Sequence, residues 1–225
     1  AALAEIDRVE RLLSAYRDDS DIARINRHGA GQPVRVTAET CRVLRQCVAL
    51  SRACDGAFDI SVGPLVRVWR EAAARGAVPD EATRTRAHTA VGADFISIDE
   101  DTLSVSLGRP GMALDLGAAG KGYAIDLAVE TLRDNGVECA LLHGGTSSVH
   151  VLGAPPESPD GWPIRWEGPE GGVLLRDSAL SVSAGHGRAF EVDGVTYGHV
   201  LDPRSGQPVA HTRAAGVTGP SSFLC

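Results

Sequence analysis

Apolar positions recur along the chain first at helical and then at strand spacing. In residues 3–17, Ile6, Val9, Leu13 and Tyr16 fall on one stripe with Glu5, Arg8 and Glu10 among the other positions, which predicts an amphipathic helix. A polar turn through Arg17-Asp18-Asp19-Ser20 leads into a short helix ending near Asn26. Thr37 stands where a cap belongs, ahead of Val43, Leu44, Cys47, Val48 and Ser51, so a longer helix is expected to about Cys54. Residues 67–90, rich in Ala and Arg, read as helical or loose. From residue 95 the period drops to two. Residues 95–98 and 103–107 predict a hairpin around Asp99-Glu100-Asp101, and Met112, Leu114 and Leu116 read as the end of a strand. Ala124, Leu127, Ala128, Thr131 and Leu132 return to helical spacing, and Gly136 is the stop signal. Short strands are then expected at 139–143, 164–166, 173–175, 179–182, 189–192 and 195–199. A Pro- and Gly-rich loop covers 154–172, and Asp193-Gly194 is a two-residue hairpin signal.

Composition narrows the function classes. The 225 residues can bury one substantial core, so residues 1–225 are expected to form one domain with room for two lobes. Acidic residues outnumber basic ones, 29 against 22, for a net charge of −7, and no basic run is present, which argues against a nucleic-acid partner. Hydrophobic residues are 43% of the chain, but no stretch approaches the roughly 20 apolar residues of a membrane span. The chain opens directly with a helical pattern and no signal peptide, as a mature or trimmed product would. The five cysteines form no Cys-x-x-Cys pair, and they read as small buried apolar residues in reduced form.

The candidate chemistry centres on Leu114-Asp115-Leu116-Gly117-Ala118-Ala119-Gly120-Lys121-Gly122-Tyr123-Ala124-Ile125-Asp126, a strand, glycine turn and helix. A helix start offers backbone N–H groups and a positive dipole end, which suit a phosphate, and Lys121 adds a mobile charge. Asp115 is placed to face a metal or a ribose hydroxyl. Gly122 stands where a P-loop has Ser or Thr, and the G-x-G-x-x-G order is missing, so neither nucleotide motif applies. Tyr16 belongs either to the core or to a face on which a flat ring stacks. Asp59, a lone carboxylate among apolar neighbours, either caps a turn or receives donors from a ligand. His199 gains interest because Asp202-Pro203 follows it at a strand end.

These stretches resemble, in order, the ApbE-type flavin transferases (FAD:protein FMN transferases). The matching pieces are Ser14-Ala15-Tyr16-Arg17, Phe58-Asp59-Ile60-Ser61-Val62-Gly63-Pro64-Leu65-Val66, Asp115-Leu116-Gly117 through Asp126, Gly144-Gly145, Ser183-Ala184-Gly185 and His199-Val200-Leu201-Asp202-Pro203-Arg204-Ser205-Gly206. The resemblance implies an α+β, T-fold-like architecture of antiparallel sheets packed with helices. It implies Mg²⁺-dependent transfer of the FMN half of FAD to a Thr or Ser hydroxyl of a target protein, with release of AMP. By motif position Tyr16 lies against the flavin, and Ala57, Phe58, Asp59, Asp115, Lys121 and Leu201 line the FAD site. Ala118 offers its carbonyl to the metal, and His199 is a candidate for orienting the acceptor or its base. Family members are commonly exported and lipid-anchored. The family begins with a strand that this chain lacks, and its carboxylate metal motif follows the equivalent of Cys225. The chain is therefore expected to be part of a longer protein, with further metal ligands beyond Cys225. Thr146 and Ala184 also depart from the family pattern. An FAD-binding module without transferase activity and an FAD pyrophosphatase are the competing readings.

Overall fold

The computed structural model describes residues 1–165, 172–184, 189–210, 212 and 214–225. In chain order the described residues form α1 (Ala2–Leu13), α2 (Asp21–His28), β1 (Val34–Arg35), α3 (Ala38–Ala53), α4 (Gly63–Arg75) and α5 (Glu81–Thr89). The hairpin of β2 (Ile96–Asp99) and β3 (Ser104–Leu107) follows, then α6 (Gly120–Asp134), β4 (Ala140–His143) and β5 (Ser148–Leu152). Next come β6 (Trp162–Arg165), β7 (Gly172–Leu175), β8 (Ser178–Ala184), β9 (Ala189–Val192) and β10 (Val195–Gly198). The chain closes with β11 (Leu201–Asp202), β12 (Gln207–Pro208) and β13 (Ala214–Gly219). These elements divide into two compact units, one of residues 11–116 and 184–214, the other of residues 1–10, 117–183 and 215–225.

In the first unit, local capping sets the helices. Ser20 Oγ accepts from Ala23 N–H at 2.9 Å to start α2, and Thr37 Oγ1 accepts from Thr40 N–H at 3.1 Å to start α3 as its position predicts. One buried carboxylate ties the two starts together. Asp21 accepts from Thr37 N–H and from the Thr37 and Thr40 hydroxyls at 2.7–3.0 Å, and pairs with Arg24. Burial pushes this carboxyl up, but the bonds from Thr37, Thr40 and Arg24 outweigh burial and hold it below the usual carboxylate range. Ile22, Ile25, Leu44 and Val105 are fully buried beneath these helices. The predicted hairpin forms with Ile96 opposite Leu107, and β1 adds to β3 as a third antiparallel strand.

Two expectations fail here for local reasons. The first helix stops at Leu13 instead of reaching residue 17, because Ser14 Oγ accepts from Tyr16 N–H at 3.2 Å and Ser14 C=O accepts from Ser20 Oγ at 2.5 Å. Tyr16 thereby leaves the apolar stripe. Residues 112–116 join no ladder among the described strands. They touch the preceding loop through one parallel bridge, Val62 to Ala113, and through Asp115 N–H donating to Ile60 C=O at 2.7 Å. The Asn26 amide supplies the rest, donating to Leu114 C=O at 2.9 Å and accepting from Leu114 N–H at 2.6 Å. The β9–β10 hairpin turns at Asp193-Gly194, both with positive φ as a two-residue turn of this kind requires. Its rings Phe190 and Tyr197 stack on each other, Tyr197 stacks on Trp69 of α4, and Phe190 meets Trp69 at a tilt of 51°, centroids 5.4–6.4 Å apart. The Trp69 indole N–H donates to Gly206 C=O at 2.9 Å.

The second unit is built on a sheet of order β13-β8-β5-β4. β5 pairs antiparallel with β4 and with β8. It escapes the sequence pattern because it is buried on both faces and carries His150, 2% exposed, at its centre. α6 packs Ile125 and Val129 against Leu152, and Val151, Leu175 and Leu180 form a cluster with the β6–β7 hairpin. Of the strand expected at 164–166, Trp166 lies outside the described residues, as does Gly185 of the Ser183-Ala184-Gly185 motif. The cysteines are all unpaired, but only Cys41 and Cys47 are buried, and Cys139 is exposed, so the expectation that all five are buried is corrected. Among the described residues, no helix is long and apolar enough to cross a membrane.

Candidate functional site

The first unit holds a notch of about 90 Å³ lined by Tyr16, Asn26, Gly63, Val66, Arg67, Arg70, Ala113, Leu114 and Asp115, with Ala15. It brings together two of the residues nominated by sequence, Tyr16 and Asp115, from opposite ends of the stretch 11–116. Tyr16 is 71% exposed, which settles its place as a surface ring and not a core residue. Arg70 lies against it, with Cζ 5.5 Å from the ring centroid and Nη1 donating to Tyr16 Oη at 3.3 Å. Arg67, Arg70 and Asn26 were not legible as site residues. Both arginines sit in a stretch whose Ala- and Arg-rich composition carries no motif, and their i, i+3 spacing on α4 is the one signal that groups them.

The other nominated residues of this unit occupy separate places. Ala57 is exposed and Phe58 half-buried, on a loop shaped by Cys54, whose Sγ accepts from Phe58 N–H at 3.3 Å. Asp59 is buried, and its carboxylate accepts from Ser61 N–H and Oγ–H at 2.7 and 2.6 Å and from Ala93 N–H at 2.8 Å. It therefore acts as a turn cap that joins two loops. Leu201 packs against the cluster of Leu65, Val68 and Ala87. His199 is exposed, directly after β10. Asp202 forms a two-pronged pair with Arg204 at 2.9 and 3.0 Å, and these bonds hold its carboxyl below the usual range.

In the second unit the glycine turn does open a helix. α6 begins at Gly120 with no side-chain cap from Ala119, so its first-turn N–H groups are not closed by a capping side chain. Lys121 is exposed and its Nζ donates to Ser147 Oγ at 2.9 Å, while Ala118 is exposed in the turn before the helix. Behind this surface, Gly122 faces the segment 221–225. A Cβ at Gly122 would stand 2.1 Å from Ser222 O. Asp126, one turn further on, fastens that segment: it accepts from Ser221 Oγ–H at 2.6 Å, Ser222 N–H at 2.7 Å and Phe223 N–H at 3.0 Å, and meets His150 Nδ1 at 3.1 Å. Burial raises the Asp126 carboxyl, but these bonds, His150 first, carry it below the usual range. A larger cleft of about 620 Å³ lies at the other end of α6, between Arg133, Cys139, Arg176 and Asp177. It contains none of the nominated residues, and its Asp177 is committed to Gly153 N–H at 2.9 Å.

The fit of a divalent cation can be judged from the donors present. Mg²⁺ takes a near-octahedral set of oxygens, usually with one or two carboxylates. Among the described residues no group of three His, Cys, Asp or Glu side chains is placed to hold a metal ion. Asp126, the carboxylate near the α6 start, is filled by its own hydrogen bonds. The described residues do not fit a Mg²⁺ site by themselves.

The sequence and the fold both place this chain among known proteins. Residues 1–225 match the model of the ApbE family, and the chain belongs to that family. It is 36% identical over 212 residues to a protein of Klebsiella pneumoniae (strain 342) named FAD:protein FMN transferase, covering 91% of this chain and 64% of that protein. A Vibrio cholerae (serotype O1) protein of the same name is 30% identical over 229 residues, covering 95% of this chain and 66% of that one. The chain thus spans slightly less than two thirds of the length of these curated relatives. The crystal structure of the ApbE protein from Thermotoga maritima superposes with a TM-score of 0.89 at 25% identity, covering 99% of this chain and 74% of that one. The apo flavinyl transferase ApbE of Pseudomonas stutzeri gives 0.84 at 29% identity, with 99% and 71% covered. The α+β class, with antiparallel sheets and helices, is that of these structures.

Proposed function

We propose that this chain transfers the FMN half of FAD to a Thr or Ser hydroxyl of a target protein and releases AMP. The observation that carries the reading is the family match over residues 1–225, supported by the relatives named FAD:protein FMN transferase. The residues supply suitable chemistry. Tyr16 offers an exposed ring on which an isoalloxazine stacks, and Asp115 beside it accepts from a hydroxyl or amino group. Lys121 and the open first turn of α6 supply positive charge to diphosphate oxygens. Ala57, Phe58, Asp59 and Leu201 are assigned to the FAD site by their motif positions.

The reaction is a phosphoryl-type displacement. The acceptor oxygen forms a bond to the phosphorus on the FMN side, and the bond from that phosphorus to the bridging oxygen breaks. AMP leaves with the bridging oxygen, and the hydroxyl proton passes to a base; His199 orients the acceptor or that base. Mg²⁺ dependence belongs to the same proposal, with the backbone carbonyl of Ala118 as one ligand. The test is incubation with FAD, with and without Mg²⁺, in a protein extract as acceptor source. AMP release with flavin retained on acid-precipitated protein is expected, slowed in His199→Asn with FAD affinity unchanged. AMP accompanied by an equal amount of free FMN would make water the nucleophile and the chain a pyrophosphatase. Bound FAD with no AMP would reduce it to a flavin-binding module.

A further inference from the structure

The notch beside Tyr16 carries two guanidinium groups that helix packing does not require, since both arginines are exposed on α4. We propose that Arg67 and Arg70 form a phosphate-reading subsite next to the Tyr16 ring, so that the notch selects a phosphorylated planar ring such as FMN over unphosphorylated riboflavin. The proposal rests on the flavin reading above and adds to Lys121 and the α6 start two further residues that contact the phosphate on the FMN side.

Three observations support it. Residues three apart on a helix are neighbours on one face, so the two forks act together. The ionised groups lining the notch are these two arginines and Asp115, an excess of positive charge in a chain of net charge −7. Asn26, also in the lining, is tied to both backbone groups of Leu114, so the charged donors in the lining are the two guanidinium groups. Arg70 is held against the Tyr16 ring, whereas the Arg67 side chain makes no hydrogen bond or ion pair among the described residues. A guanidinium matches two phosphate oxygens at once, which a lysine at the same place does not.

The 225-residue chain is titrated with FMN and with riboflavin, following quenching of flavin fluorescence, as wild type and as Arg67→Gln, Arg67→Lys and Arg70→Ala, with melting curves for each. Wild type is expected to bind FMN more tightly than riboflavin. Arg67→Gln weakens FMN by about tenfold and leaves riboflavin within about twofold, Arg67→Lys recovers part of that loss, and Arg70→Ala, which also frees the Tyr16 ring, weakens FMN more than riboflavin. The wild-type ratio needs no variant, so a variant that fails to fold does not remove the test. Equal affinity of wild type for FMN and riboflavin, or equal weakening of both by the variants, overturns the subsite and leaves flavin binding intact. A wild-type chain that binds neither flavin overturns both readings.

Discussion

α4 and α6, one in each unit, begin in the same way and are secured differently. Each starts without a side-chain cap, after Val62 and after Ala119. Each has a glycine in its first turn against which a passing backbone segment is pressed: Gly63 against Ala113, Gly122 against Ser222. A Cβ would meet the carbonyl oxygen at 2.6 Å in α4 and at 2.1 Å in α6. The fastening of the passing segment is where they part. At α4 it is a neutral amide from α2, Asn26, bonded to both backbone groups of Leu114. In α6 it is a carboxylate, Asp126, bonded to two backbone N–H groups and a hydroxyl. One geometric device is thus made once insensitive to protons and once sensitive to them.

The glycines break the comparison most severely. Gly122→Ala is expected to cost about 3 kcal/mol, because backbone must move to admit the methyl, and Gly63→Ala about 2 kcal/mol at its longer contact. Urea midpoints of the two variants check this, and equal midpoints would mean that the closer contact relaxes without cost. Asp126→Asn comes next, at about 2 kcal/mol near neutral pH, since an amide cannot accept at all the positions the carboxylate serves.

Acid sharpens the contrast. The folded Asp126 carboxyl titrates below its unfolded value of about 4, so its contribution is complete above that value and is lost as pH falls through the folded one. Protection of the Ser222 and Phe223 amides from hydrogen exchange should therefore fall below about pH 4, and Asp126→Asn should abolish the dependence. The Leu114 amide, held by Asn26, should keep its protection through the same range. Asp21 in the first unit titrates in the same direction, so site-resolved exchange and not global unfolding is the appropriate measurement. The smallest effect is expected for Asn26→Ala, about 1.5 kcal/mol and independent of pH, read from the same urea curves.

What was legible in the sequence depended on how local the cause was. Thr37 and Gly136 bracket their helices through neighbours a few residues away, and Asp193-Gly194 sets its own turn, so these elements stand where the pattern puts them. Residues 112–116 have strand periodicity, yet their partner is a side chain 88 residues earlier, which no period reveals. β5 was missed because its central His150 reads as polar while the fold buries it. For the site, Tyr16 and Asp115 were found through motif order and do share a notch. Arg67 and Arg70, which line the same notch, were not singled out, because an exposed arginine on a helix looks the same in sequence whether or not it borders a cleft.

The ring stack on α4 also has an optical consequence. The β9–β10 hairpin pairs only with itself among the described strands, and Trp69, 5% exposed, touches both of its rings. While the hairpin is seated, iodide in solution cannot collide with that indole and its emission stays blue; once the hairpin lifts, the emission shifts red and becomes quenchable. With Trp162 and Trp166 replaced by Phe, Trp69 thus serves as a fluorescent reporter of whether the segment leading to His199 is in place.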